Sequence, residues 1–291
     1  MSIMNINTNV NSLIAQGSLR KLDSGLSTTM KRLSSGLRIN SAADDPSGVA
    51  LANSMTAHMR GVHQAINNAQ DGLNLLAFAD SALNETLDIL QRLNDLAVKA
   101  ANEAVLTTAD IQSIQNEIDS LRTELSRRAG AVTFNTKILF SGGFSDGQML
   151  QIGANNGAAF QITVQLQAVT LSGMGFWSVP NTISLVVTSG AQNSSLGAAN
   201  TAIDAVKSAI NIVSNMQAAI GVQEKKLQYI INDLSSEEIN IAAAKSRITD
   251  ADMAAEISEF TRLQVLTQAA TAMLAQANLQ PQIVSQLLGV G

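Results

Sequence analysis

The chain lacks cysteine, and it is poor in aromatic residues and in charge. Without thiols it can form no disulfide, run no thiol chemistry and build no cysteine metal site. Aromatics are 3% of its 291 residues, so any core is aliphatic and alanine-rich. Charged residues are 14%, against about 25% in an average domain, so Asn, Gln, Ser and Thr must supply much of the polar surface. The net charge of −5 leaves no basic footprint for nucleic acid. No run of about 18 apolar residues exists, so no membrane insertion is expected. Met1 to Asn7 shows no basic start and no long apolar block, so no cleaved signal peptide is expected either.

Charge is missing altogether from both ends. Met1 to Leu19 and Leu263 to Gly291 contain no Asp, Glu, Lys, Arg or His. Asn, Gln, Ser and Thr interrupt every apolar run there, which spoils these segments for lipid. They are also poor solvated tails. They suit burial in protein, against each other and against copies of themselves. A lone helical hairpin covers only one stripe of each helix, so the ends should be labile in the monomer and ordered in an assembly.

What the chain does have is heptad spacing. Leu19, Leu22, Leu26, Leu33 and Leu37 lie near one stripe, with Thr29 filling its gap. Gly36 loosens that helix. Asp45-Pro46 reads as a cap followed by proline at the first helical position. From there Val62, Ile66, Ala69, Leu73, Leu76, Leu83, Leu87, Leu90 and Ala97 keep alternate steps of four and three, with Asp80 and Asn94 at the remaining places. Gly61 and Gly72 interrupt this helix and suggest close approach of a neighbour. Thr107 and Asp110 have capping-box spacing. The helix they open, carrying Ile111, Ile114, Ile118, Leu121 and Leu125, should stop at Gly130.

Between 134 and 196 the pattern becomes alternating, with candidate strands at 148–152, 160–169 and 183–188. Phe160, Ile162, Val164 and Leu166 alternate with Gln161, Thr163, Gln165 and Gln167. A second long helical tract then runs through Ile203, Val206, Ile210, Val213, Ile220, Leu227, Ile231, Leu234, Ile241 and Ile248. A break near Thr249-Asp250 precedes a last stretch with Ile257, Phe260, Leu263, Leu266, Ala270, Met273 and Ala277. The fold class is therefore mainly α. It is a long helical hairpin or coiled-coil bundle with a small β-hairpin region in the middle, and its two ends should lie side by side.

Lys31-Arg32-Leu33-Ser34-Ser35-Gly36-Leu37-Arg38-Ile39-Asn40, continuing to Asp44-Asp45, resembles bacterial flagellin. So do Ile6-Asn7-Thr8-Asn9-Val10, Gln64 to Gly72, Ser246-Arg247-Ile248-Thr249-Asp250 and Leu274-Ala275-Gln276-Ala277-Asn278. The resemblance spans roughly residues 1–165 and 197–288, with a very short middle. It implies a filament subunit, exported unfolded and polymerised into a helical tube for motility. It implies an inner terminal coiled-coil domain of 1–42 plus 253–291, an outer helical bundle of 43–133 plus 197–252, and a surface region of 134–196. The implied partners are copies of itself, the flagellar export apparatus with an export chaperone, filament cap and hook-junction proteins, and a Toll-like innate receptor. The implied location is the extracellular flagellum.

Val10, Leu13, Leu22, Leu26, Leu33, Leu263, Leu266, Met273 and Leu287 are the expected self-assembly positions. Arg92, Leu96 and Glu117 match positions of the receptor-recognised surface, although Asn94-Asp95 replaces the more usual Arg-Glu there. Thr170, Ser172, Ser194 and Ser195 are glycosylation candidates by family analogy. Pro46 after the aspartate pair keeps a hook-filament junction protein of the same superfamily as an alternative. A flagellin-like carbohydrate-binding surface protein is a second, though one Trp and one Tyr make a thin aromatic groove. Asp44-Asp45 reads as cap and turn rather than an acid–base pair. His58 and His63, five apart, fall on different helix faces. No cofactor, metal site or enzymatic activity is expected.

Overall fold

The computed structural model describes residues 8–102, 105–140, 142–167 and 192–287. Five long helices carry the chain: α1 Val10–Ser35, α2 Pro46–Ala100, α3 Thr108–Ala131, α4 Gln192–Thr249 and α5 Met253–Leu287. Between α3 and α4 lie two small antiparallel hairpins, β1 Thr133–Phe134 with β2 Lys137–Ile138, and β3 Gln148–Gln151 with β4 Gln161–Val164. The mainly α fold with a central β-hairpin region is as expected. The chain divides into two units, one of residues 1–59 and 239–291, the other of residues 60–238.

The central unit has the closed core. Val206, Val213, Ile220 and Leu227 recur every seventh residue on α4 and are almost fully buried. Leu76, Leu83, Leu90 and Ala97 do the same from α2, and Ile111, Ile114, Ile118 and Leu125, at steps of three, four and seven, are buried from α3. The β3–β4 hairpin closes this cluster with Ile162, Val164 and Leu166, while Gln161, Thr163 and Gln165 face outward. Alternation along a strand lets one short hairpin serve both core and surface.

The helix starts follow local chemistry. The Asp45 carboxylate accepts the Gly48 N–H at 2.9 Å and the Ser47 N–H at 3.1 Å, capping α2 just before Pro46. Thr107 and Asp110 form the full capping box at α3. Gly36 ends α1 in the left-handed conformation, φ 71°.

Several details differ from the sequence reading. Gly130 does not stop α3, which continues to Ala131 and ends at Val132; the glycine keeps helical backbone, so its freedom is not used. The break expected near Thr249-Asp250 extends to Asp252, which caps α5 by accepting the Ala254 and Ala255 N–H groups at 2.9 and 3.2 Å. The β1–β2 hairpin is additional. Its turn places Asn135 and Thr136 at φ 45° and 68°, a geometry that the usual Asn-Gly signal would have announced and Asn-Thr does not. Gly61 and Gly72 do mark a close approach, but chiefly of the hairpin region: a Cβ on Gly61 would lie 2.6 Å from the Ala154 Cβ, and one on Gly72 2.5 Å from a Leu150 methyl. The candidate strand at 183–188 lies outside the described residues.

Candidate assembly surface

In the terminal unit α1 and α5 run antiparallel. At one end the Asn9 side-chain amide donates to the Ala277 carbonyl at 2.9 Å, and the Ser12 hydroxyl to Asn278 Oδ1 at 2.8 Å. At the other, Arg32 meets Glu256 at 3.1 Å. The seam between them follows heptads on both helices. On α1 the less exposed positions include Ser12, Ala15, Leu19, Leu22, Leu26, Thr29 and Leu33. On α5 they include Phe260, Leu263, Thr267, Ala270, Leu274 and Ala277. Thr29 is the one buried residue of α1, and its hydroxyl donates to the Gly25 carbonyl at 3.0 Å. Gly25 faces Leu263 of α5, where a Cβ would make an ordinary contact at 3.4 Å. Small and hydroxyl-bearing residues at seam positions make a close but thin contact.

The seam uses only part of the apolar surface. Leu22, Leu26 and Leu33 are half-buried on it and Leu263 is buried. Val10 and Leu13 are more than half exposed, Ile14 is 63% and Met273 65% exposed, and Leu266 and Val265 also face outward. Leu287 is the last residue of α5. The other expected assembly positions thus sort into an internal set and an outward set. Leu266 and Met273 lie one residue off the seam, where Thr267 and Leu274 stand instead. With no charged residue before Arg20 or after Arg262, nothing repels an apolar partner along that outward face.

Beside the seam, the 36–45 loop holds two carboxylates. The Ser41 hydroxyl and the N–H groups of Asn40 and Ser41 donate to Asp44 and keep it below the usual carboxylate range. Gly48 N–H and the Ser47 side chain do so for Asp45. Both acids are thereby stabilised as anions and hold the turn and the cap. Among the described residues no cluster of His, Cys, Asp and Glu is arranged to hold a metal, and no helix is long and apolar enough to cross a membrane. His63 pairs with Glu238 at 3.4 Å.

In the central unit Arg92 and Glu117 are exposed and joined at 2.6 Å, which ties α2 to α3. Leu96 is only 3% exposed and belongs to the core, so it is not displayed beside them as expected. Its heptad neighbours Leu93, Ala97 and Ala100 share that core, which fixes its direction. Thr170 and Ser172 lie outside the described residues, and Ser194 and Ser195 fall in the first turn of α4.

Comparison with known proteins accounts for this arrangement. Residues 6–145 match the bacterial flagellin N-terminal helical region, and residues 203–288 match the bacterial flagellin C-terminal helical region. The chain is 40% identical to a flagellin of Bacillus subtilis over 305 residues, covering 98% of this chain and all of that one. It is 35% identical to flagellin FlaB1 of Treponema pallidum over 294 residues, with 98% and 100% covered. A Vibrio parahaemolyticus structure assigned to the flagellar hook-associated proteins superposes with a TM-score of 0.60 over 71% of this chain and all of that one, at 15% identity, which shows the shared fold. Both helical regions match and full-length relatives carry the same name, so the chain belongs to the bacterial flagellin family and is a structural subunit of the extracellular flagellar filament.

Proposed function

We propose that the outward apolar face of the α1–α5 pair is the surface by which copies of this chain lock together. Segments 1–42 and 253–291 would form the inner layer, 43–133 and 197–252 the outer layer, and 134–196 the solvent-facing region. The single observation that carries this reading is the position of Val10, Leu13, Leu266 and Met273, exposed and off the internal seam in a stretch without charge. An apolar face of this kind is stabilised only when something covers it, and copies arranged on a helical lattice cover it repeatedly. The work is mechanical: interlocked helices transmit torque.

Seeded polymerisation of purified protein tests the reading. Leu266→Asp and Met273→Asp should leave the subunit folded and abolish fibre growth, because each buries an unpaired charge at every repeat. Normal fibres from either variant would refute it. Limited proteolysis supplies a second readout, with both ends cut in the monomer and protected in the polymer; equal resistance in the two states would count against it.

The same reading makes the chain a cargo of the flagellar export apparatus and its chaperone, and a neighbour of cap and hook-junction proteins. For a Toll-like receptor, the exposed Arg92–Glu117 pair favours a contact made by these two residues rather than by Leu96. Loss of receptor signalling in Glu117→Ala, with signalling kept in Leu96→Met, is the expected result. Thr170, Ser172, Ser194 and Ser195, in and beside the short middle region, are the glycosylation candidates to check by mass spectrometry.

A further inference from the structure

Asn156-Gly157 is the one Asn-Gly pair in the chain. It sits at the tip of the loop that joins β3 to β4, and Asn156 is exposed. The rest of that loop is held. The Ile152 N–H donates to the Phe160 carbonyl at 2.8 Å. The Gln151 side-chain amide donates to the Gly153 and Asn155 carbonyls, both at 2.9 Å. Ala154 packs on Gly61 of α2, and the Phe160 ring lies so close to Gly153 that a Cβ there would collide with it. At the tip the restraint stops. Among the described residues neither the Asn156 side chain nor the Gly157 N–H forms a hydrogen bond. Gly157 has φ 139°, and even a Cβ there would come no nearer than 3.7 Å to a neighbour, so its nitrogen is unscreened.

Such a pair carries its own reaction. The glycine nitrogen attacks the asparagine side-chain carbonyl carbon. A C–N bond forms, closing a succinimide ring, and the side-chain nitrogen leaves as ammonia with the proton that the glycine N–H gives up. Water then opens the ring at either carbonyl. One product is aspartate; the other is isoaspartate, with the main chain rerouted through Cβ. The attacking nitrogen must be free of hydrogen bonds and of a screening side chain.

Other asparagines fail one requirement or the other. Asn53-Ser54 lies inside α2, where the following N–H is spent on the helix. Asn135-Thr136 is exposed in the β1–β2 turn, but a branched side chain screens the Thr136 nitrogen.

We propose that Asn156 is a self-modification site, where the Asn156-Gly157 pair closes to a succinimide and reopens as aspartate or isoaspartate without an enzyme. Each event replaces a neutral amide by a carboxylate and adds a negative charge to the hairpin region. Because Ala154 and Phe160 anchor the loop on either side, the change stays at the tip and spares the core. That it continues in the polymer rests on the reading of 134–196 as the solvent-facing region; ageing filaments then gather negative charge.

The full-length chain, as monomer and as seeded polymer, is held in mildly alkaline buffer. Peptide mass mapping with enzymatic detection of isoaspartate follows every asparagine. Asn156 should convert first, gaining one mass unit, chiefly as isoaspartate. The same measurement in urea separates sequence from structure: folding should slow Asn53 by about tenfold or more, and Asn156 by less than about threefold. Asn156→Gln should remove the fast product and leave melting and seeded growth unchanged. The proposal is overturned if Asn156 stays intact in the folded monomer while other asparagines convert, or if folding protects it as strongly as Asn53. Conversion in the monomer with none in the polymer would uphold the site and strike the solvent-facing placement of 134–196.

Discussion

In the central unit, Val206, Val213, Ile220 and Leu227 of α4 are each at most 2% exposed; in the terminal unit, the same heptad spacing on α1 and α5 leaves Thr29 and Leu263 as the only buried side chains among the described residues of the two helices. The difference is one of neighbours. Three helices and a hairpin surround the central core from several sides, so one stripe per helix is fully covered. Two helices can cover only the line where they meet. The periodicity is the same in both units, yet one is finished as a monomer and the other leaves apolar residues such as Ile14 and Met273 in solvent. A coiled-coil pattern therefore says that a helix has a partner, not that the partner belongs to the same chain.

Core truncation should break the comparison most sharply. Leu83→Ala, at a fully buried site in the central unit, should destabilise by about 2–5 kcal/mol. Leu266→Ala in the terminal unit should leave the monomer's melting nearly unchanged, and calorimetry of the two variants checks this.

Next comes the helix–hairpin approach. Gly61→Ala places a Cβ 2.6 Å from that of Ala154 and should cost about 1–3 kcal/mol. Gly17→Ala meets nothing within 4 Å and should instead help α1 by up to about 1 kcal/mol. Hydrogen exchange of the β3–β4 hairpin and of α1 reads the two effects separately.

Thr107→Ala should cost about 1 kcal/mol by removing the capping box of α3. Urea unfolding that reports on the central unit alone measures it.

Acid is expected to act most weakly and on both units. Asp45 is held low by the Gly48 N–H and then Ser47, and Asp110 by the Thr107 hydroxyl and then its N–H. A lowered carboxylate contributes stability that is complete above its unfolded-state value and is lost as pH falls through the folded one. Both caps should therefore be intact at neutral pH and fade only below the ordinary carboxylate range. Amide exchange at Gly48 and Asp110, followed down to pH 2, tests the direction.

Much of the fold was legible in residues. The 3–4 spacing of Ile111, Ile114 and Ile118 marked α3, the Thr107–Asp110 pair marked its start, and Asp45-Pro46 marked the start of α2. The alternation of Ile162, Val164 and Leu166 with polar residues marked β4 and told which face would be dry. These signals are local: each depends on neighbours within about one turn or one strand. The assembly surface was only half legible. Leu266 and Met273 looked like seam residues because they are large, apolar and correctly spaced. In the structure Thr267 and Leu274 take the seam, one residue along from each, because the line on which α5 meets α1 runs through Phe260, Leu263, Thr267, Ala270, Leu274 and Ala277. Leu96 was expected at the surface because its position matches the family's receptor-recognised surface, but rotation about α2 carries it inward.

The sequence by itself determined that this chain is helical, where α2 and α3 begin, that its ends carry no charge, and that it resembles flagellin along most of its length. Those properties are written in composition and in spacing along one chain. Only the tertiary structure decided which of two adjacent stripes on α5 meets α1 and why α2 needs glycine at 61. Each of these depends on which distant backbone comes near, and side-chain spacing within one helix carries no record of that.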